Sequence, residues 1–494
     1  MYDLHETQPQ LREETLDPSD WNDYRELGHK ILDEAIDYLA NVRSRPIWQT
    51  MPDSVRGFYR SPLPISGSGL DEVYKELGEN LMPYPLGNIH PRYWMWYMGS
   101  SNFSGAVGDF LAAILGSNLG GGNHAAAEMD RQVVDWCKQM VGFPEEASGT
   151  LVSGGSMANL IGLNIARNVH AGEDIRGKGL QGIRRPLVFY ASDQVHGCHQ
   201  KSLECLGLGA SALRKLPSDD QFKLDLDALR TTISQDRKAG LEPACVIATA
   251  GTVNTGAIDD LGAIADLCEE EDLWFHVDGC IGALMAIAPK NRWKVAAIDR
   301  ADSIALDPHK WLHAPFELGC ALVKDKHHHR NTFALNSPYL EKTERGIAAA
   351  EWLHDYGLQT SRGFRALKLW ISLKEHGVEK FGRLIDQNIA QAAYLKSIVE
   401  AESRLELMAP VEASIVCFRY CLGGADEELS RRINREIMYQ LQETGMAAMS
   451  DTTIKGRYSL RVAINNHRTR IDDIDQTVTA LLHIGDTLSS DAPI

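Results

Sequence analysis

Apolar residues recur along the chain with two different periods. Between Trp21 and Val42, Leu27, Ile31, Ala35 and Leu39 fall on one stripe at helical spacing, and Asp20 is placed to cap the first turn. A proline-rich stretch follows, with Pro46, Pro52, Pro62 and Pro64. Such a segment cannot bury itself, so it is expected to lie as an extended arm across another subunit or domain. From about Asn102 to Leu373 the pattern changes. Leu187–Tyr190, Val246–Ala250, Leu273–Val277, Ser303–Leu306 and Cys320–Val323 read as buried strands, with helical segments such as Leu261–Glu271 between them. That alternation predicts an α/β fold, a mostly parallel central sheet covered by helices on both faces. Beyond Lys374, Ile415–Tyr420 and Ser459–Ala463 read as strands, and Glu427–Glu443 and Ile471–Ile484 as helices. The expected organisation is a helical and extended N-terminal arm over 1–101, a large domain over 102–373 and a small α+β domain over 374–494.

Composition narrows the classes. The chain has 494 residues, 44% hydrophobic and 24% charged, which excludes collagenous, coiled-coil and disordered chains. A net charge of −17 opposes sequence-independent binding to a phosphate backbone, so no nucleic-acid partner is expected. Nine scattered cysteines without a CxxC pair read as reduced thiols of a cytoplasmic protein rather than disulfides or zinc ligands. No apolar run reaches about 18 residues, and the polar, acidic start shows no export signal, so neither a membrane span nor secretion is expected.

In parallel sheets covered by helices, ligands bind beyond the carboxyl ends of the strands, and five such ends carry chemistry here. Lys310, in Asp307-Pro308-His309-Lys310-Trp311, follows a strand within an apolar stretch. Dehydration there is expected to lower its pKa and leave a nucleophilic amine, the alternative being an exposed loop lysine. Asp278 ends Trp274-Phe275-His276-Val277-Asp278; it either pairs with a protonated ring nitrogen or caps the next helix. Ser153-Gly154-Gly155-Ser156 opens a helix and offers backbone N–H groups and a hydroxyl to a phosphate, or is a tight turn with a serine cap. His196 is placed to stack on a flat ring or relay a proton, or is structural. Thr252 adds a hydroxyl after a further strand. Together these supply what pyridoxal 5′-phosphate needs. No metal is expected: the adjacent side chains of His327, His328 and His329 cannot converge on one ion.

The segments SGGSMANL, SDQVHG, TAGTVNTGAIDD, WFHVDG and DPHKW, with GFRALKLW and HPRYW, resemble the pyridoxal-phosphate-dependent amino-acid decarboxylases of the group that includes aromatic-L-amino-acid and glutamate decarboxylases. The resemblance runs from about Trp21 to the C-terminal region. It implies a fold-type-I enzyme, a homodimer with shared active sites, Lys310 as the Schiff-base lysine and Asp278 as the pyridinium partner. It also implies His196 on the ring, Gly155, Ser156 and His309 about the phosphate or the imine, and Thr252 near the ring. In the family a loop tyrosine protonates the product. Glu341–Thr360 offers Tyr356 near its end and Tyr339 stands just before its start, while Leu353 occupies the aligned position and His354 is the rival donor. Trp96 and Tyr97 match the wall of the side-chain pocket, and aromatic walls suit a flat side chain. The small, polar Asn118-Leu119-Gly120-Gly121 argues the other way. The expected reaction converts an L-amino acid, aromatic in preference, to its amine and CO2. The alternatives are an acidic substrate, aldehyde formation by oxidative deamination, and a cofactor-free interaction protein on the same fold.

Overall fold

The computed structural model describes residues 14–490 apart from 172–174, 336–342, 422 and 424–425. The chain divides into two compact units, Met1–Pro85 and Leu86–Ile494. In the first, the helix Trp21–Ala40 starts where its cap predicts, the Asp20 carboxylate accepting from the Asn22 N–H at 2.8 Å. Leu27, Ile31 and Leu39 are half-buried and Ala35 is exposed. The proline-rich stretch is not wholly extended. Pro52, with φ of −63°, sets up a short helix, Asp53–Phe58, whose first turn carries an acidic residue.

The second unit holds two sheets. Its first strand, β1 (Tyr93–Trp94), is followed by β2 (Ser148–Val152), β3 (Leu187–Ser192), β4 (Leu213–Leu216), β5 (Glu242–Thr249), β6 (Trp274–Asp278), β7 (Ser303–Leu306) and β8 (Gly319–Val323). β2 to β8 form one sheet in the order β2-β8-β7-β6-β5-β3-β4, and every strand but β8 runs the same way. β6, β7 and β8 are buried along their whole length, as their apolar runs predict for a sheet covered on both faces. Helices Gly155–His170 and Leu261–Glu271 lie between successive strands, the second with the predicted bounds. Register then levels the strand ends: Thr249 of β5 pairs with Asp278 of β6, and Asp278 with Ala305 of β7. The residues that follow these strands therefore emerge side by side.

The smaller sheet contains β9 (Leu405–Leu407), β10 (Ile415–Tyr420), β11 (Ala448–Ile454) and β12 (Arg457–Ala463), in the order β1-β11-β12-β10-β9. Helix Glu427–Glu443 packs on it and helix Ile471–Ser490 packs beside that helix, the second extending past the predicted Ile484. The HPRYW segment is thus an edge strand of this sheet. Tyr93 and Trp94 pair in parallel with Ala448 and Met449, and the Trp94 indole donates to Thr469 Oγ1 at 3.2 Å. No helix among the described residues is long and apolar enough to cross a membrane.

From β1 the chain turns down onto the large sheet. Gly99 sits so close to the turn after β7 that a Cβ there would fall 1.6 Å from the His309 carbonyl oxygen. Because the obstacle is backbone, it cannot rotate away. Gly99→Ala is expected to cost about 1–3 kcal/mol through overpacking and to lower Tm by a few degrees in calorimetry, whereas an unchanged Tm would contradict this packing.

Candidate active site

Lys310 lies in the short helix Pro308–Trp311, which β7 delivers directly. Pro308 fixes the first helical position, and the Lys310 Nζ reaches back to Asp307 Oδ2 at 2.9 Å. Burial alone would push the ammonium's pKa down, as the sequence predicts. Asp307, then Cys280 and Asp278, outweigh it and raise the pKa instead. The expectation of a neutral lysine is therefore corrected: in the chain itself Lys310 is an ammonium paired with the aspartate three residues before it. Asp307 Oδ1 is buried with no partner among the described residues.

Asp278 ends β6 beneath this lysine. Its Oδ2 accepts from His199 Nε2 at 2.8 Å and its Oδ1 from the Cys280 N–H at 3.2 Å. Burial favours the neutral acid, but His199, Cys280 and Lys310 overcome that and hold the carboxyl well below the usual range. Behind it, His276 bonds Asn159 Oδ1 and Ser303 Oγ, each at 2.8 Å, and burial pushes its pKa down to about 3.

Across the cleft, β2 runs into the helix Gly155–His170. Its cap is Gly154, not a serine, so the N–H groups of Gly155 and Ser156 are not spent on a side-chain cap and are available to a ligand, while the Met157 N–H donates to the Gly154 carbonyl at 3.0 Å. A Cβ at Gly155 would stand 2.3 Å from Cys280 Sγ and 2.7 Å from Asp307 Oδ2, so only glycine lets the helix end close over the floor of the site. His309 flanks the same turn, its Nδ1 accepting from the Leu318 N–H at 3.3 Å, and burial lowers its pKa. His196 follows β3 and stands at the mouth, its Nδ1 accepting from the Cys198 N–H at 3.2 Å.

These groups surround one cleft of about 440 Å³. Lys310, Asp278, His196 and His309 line it, together with Gly155 and Ser156. Trp96 and Tyr97 form the wall on the β1 side, both in the left-handed region with φ of 55° and 91°. Tyr97 is buried, its hydroxyl 3.0 Å from Ser414 Oγ and its ring edge-on to Trp311; Trp96 is half exposed.

Two predicted residues do not reach this cleft. Thr252 is fully buried in the turn after β5, its hydroxyl 2.9 Å from Thr255 Oγ1 and accepting from the Ala257 N–H at 3.1 Å. Thr249, the last residue of β5, lines the cleft in its place. Tyr356 donates its hydroxyl to Glu351, packs its ring against His329 at 5.0 Å, and does not line the cleft. His354 does not line it either, and Leu353 is in the core; Tyr339 lies outside the described residues. Sequence reasoning also passed over His199, Thr249, Cys280 and Asp307. Asp307 was visible at i−3 to Lys310, and Thr249 as the last residue of an apolar run.

The donor set fits pyridoxal 5′-phosphate. A helix N-terminus opened by glycines suits its phosphate, an ionised buried carboxylate its ring nitrogen, an imidazole its face and Lys310 its carbonyl. An α/β sheet with these groups at its strand ends defines the fold-type-I class of pyridoxal-phosphate enzymes. Residues 52–421 match the pyridoxal-dependent decarboxylase conserved domain. The chain is 33% identical over 478 residues to an aromatic-L-amino-acid decarboxylase of Bacillus atrophaeus, covering 95% of this chain and 97% of that protein. A crystal structure of Oryza sativa TDC with PLP and tryptamine superposes with a TM-score of 0.88 at 28% identity, covering 96% of this chain and all of that one. Catharanthus roseus tryptophan decarboxylase in complex with L-tryptophan gives 0.86 at 26% identity, covering 96% of this chain and all of that one. The chain belongs to the pyridoxal-dependent decarboxylase family, and it is a pyridoxal-phosphate-dependent amino-acid decarboxylase.

Lys310→Ala is expected to abolish both turnover and the borohydride-sensitive visible absorption of the reconstituted protein. Asp278→Asn is expected to weaken cofactor binding about tenfold or more, because a bond to a charged group is lost. Wild-type turnover in the first variant, or wild-type affinity in the second, would refute the respective role.

Proposed function

We propose that this enzyme decarboxylates aromatic L-amino acids to their amines. The observation that carries the reading is the wall made by Trp96 and Tyr97 on the cleft that holds Lys310 and Asp278. Two aromatic residues held in an unfavourable backbone conformation present flat apolar surface beside the reacting groups, which suits an aromatic side chain. The names of the relatives support the same substrate class.

When bound, the cofactor supplies an electron sink for the pair left by departing CO2. The chain's own groups do the rest. Asp278, kept ionised by His199 and the Cys280 N–H, would hold a proton at the ring nitrogen. Asp307 aims the Lys310 Nζ into the cleft. His196, at the mouth, would cover its ring, and the Gly155 and Ser156 end of the helix would take its phosphate. Tyr356 was implied as the proton donor, but its commitment to Glu351 supports a different task, anchoring the end of its loop.

A homodimer completes the proposal. The helix Phe103–Leu115 exposes Phe110, Leu111, Ile114 and Leu115 in a row, an apolar face that a second copy would cover. Free cysteines throughout the described residues support a reducing, cytoplasmic setting.

Release of CO2, amine and peroxide across tryptophan, tyrosine, phenylalanine and glutamate tests the reading. The aromatic amino acids are expected to exceed glutamate in kcat/KM by about 10²-fold or more, the discrimination a mismatched polar group can impose. Amine without peroxide is expected from the wild type and from Tyr356→Phe. Comparable turnover of glutamate would overturn the substrate class, and peroxide from Tyr356→Phe alone would return the phenol to the reaction.

A further inference from the structure

We propose that His199 is a positioning residue, which orients the Asp278 carboxylate and holds it ready for the ring nitrogen of the cofactor. The inference rests on the cofactor reading above and goes beyond it.

His199 lies in the helix Cys198–Cys205, three residues past His196. The two imidazoles therefore leave the same turn at different depths: His196 stands at the cleft mouth, and His199 is completely buried beneath it. The Nε2 of His199 is 2.8 Å from Asp278 Oδ2. An ionised carboxylate only accepts, so Nε2 carries the hydrogen. Among the described residues nothing pairs with His199 Nδ1, which identifies this bond to Asp278 as the polar contact of the ring. Its second neighbour, the His276 ring, lies edge-on at 6.1 Å and spends both its nitrogens on Asn159 and Ser303.

The arrangement has a directional consequence. A carboxylate at the end of a strand rotates about its Cα–Cβ and Cβ–Cγ bonds, and only some settings present an oxygen to the cleft. His199 on one oxygen and the Cys280 N–H on the other select a single setting. They also supply the hydrogen bonds without which a buried carboxylate would take up a proton. A protonated Asp278 would not hold a proton on the ring.

Cys198 Sγ, His199 and Asp278 offer atoms within 4.8 Å of one another, the spacing of a metal site. Burial pushes the Cys198 thiol up to about 12, however, and a protonated thiol is a poor ligand. The cluster is therefore read as a hydrogen-bonded pair beside a thiol. The other titratable groups facing the pair are Cys280 after β6, His196 after β3, His276 within β6 and Lys310 after β7.

Two variants and one double mutant test the role in the full-length protein, stripped of cofactor and reconstituted with pyridoxal 5′-phosphate. His199→Leu removes the donor at similar volume, and His199→Gln retains one. The readouts are the Kd for the cofactor, by quenching of tryptophan fluorescence, and the pH profile of the visible absorption. His199→Leu is expected to raise Kd about tenfold or more and to shift the absorption profile. His199→Gln should recover most of both. In an Asp278→Asn background, His199→Leu should add nothing. A His199→Leu protein with wild-type Kd and profile, alongside an impaired Asp278→Asn, overturns the role of His199 and leaves that of Asp278 standing. Normal binding by Asp278→Asn itself overturns the reading on which the proposal rests. If His199→Leu does not accumulate as folded protein, His199→Asn replaces it: its shorter amide falls short of Asp278, so equal affinity of the Gln and Asn variants refutes the proposal.

Discussion

Everything at the catalytic centre depends on keeping two carboxylates charged in a place where charge is expensive. Asp278 and Asp307 are both nearly inaccessible. Left alone, Asp278 would be pushed by burial toward the protonated form and would lose its electrostatic purpose. The fold answers with a donor for each. His199 and a backbone N–H serve Asp278, and the Lys310 ammonium serves Asp307. Lys310 is thus also a structural counter-ion. Its ammonium is stabilised, contrary to what its apolar neighbourhood alone would dictate.

Sheet register converts this electrostatic arrangement into a fixed geometry. Because Thr249, Asp278 and Ala305 pair across β5, β6 and β7, the side chains leaving these strands are spaced by hydrogen bonds rather than by loops. The antiparallel β8 contributes differently. It returns beside β7 and pairs with β2, so the Gly154–Gly155 turn closes over Asp307 and Cys280. The absence of a side chain at Gly155 is what lets a helix N-terminus and a buried carboxylate approach so closely.

Most of this architecture was legible in the sequence, because long buried strands announce themselves as apolar runs and their ends carried unusual polar residues. Leu261–Glu271 and Glu427–Glu443 have the bounds that periodicity gives them. What was hidden depended on partners distant along the chain. His199 is one turn beyond a more conspicuous histidine, and only the folded chain sets it against Asp278, 79 residues away. Burial alone points the Lys310 pKa down, and Asp307, brought against the ammonium by the turn after β7, reverses that direction. HPRYW carried no strand signal of its own: two residues became β1 only because β11 offered an edge. Tyr356 lies on a segment whose placement is set by Glu351 and His329, neither of which periodicity could associate with it.

The fate of Thr252 shows how one motif can serve two structures at once. TAGTVNTGAIDD reads as a single ligand-binding segment, yet the chain divides it. Thr249 faces the cleft, whereas Thr252 and Thr255 turn inward and hold the loop by a hydroxyl pair. The carbonyls thereby aimed outward, those of Val253 and Asn254, accept from the buried Arg461 of β12 at 2.5 and 3.1 Å. Arg461 also donates to Ser450 on β11, the strand that carries β1 at its edge. A continuous polar tie therefore runs from the end of β5, through the smaller sheet, to the strand that leads into Trp96 and Tyr97. The wall formed by Trp96 and Tyr97 is braced against the strand end beside Asp278, so a threonine that does not line the cleft still bears on how the two sides of the cleft are held apart.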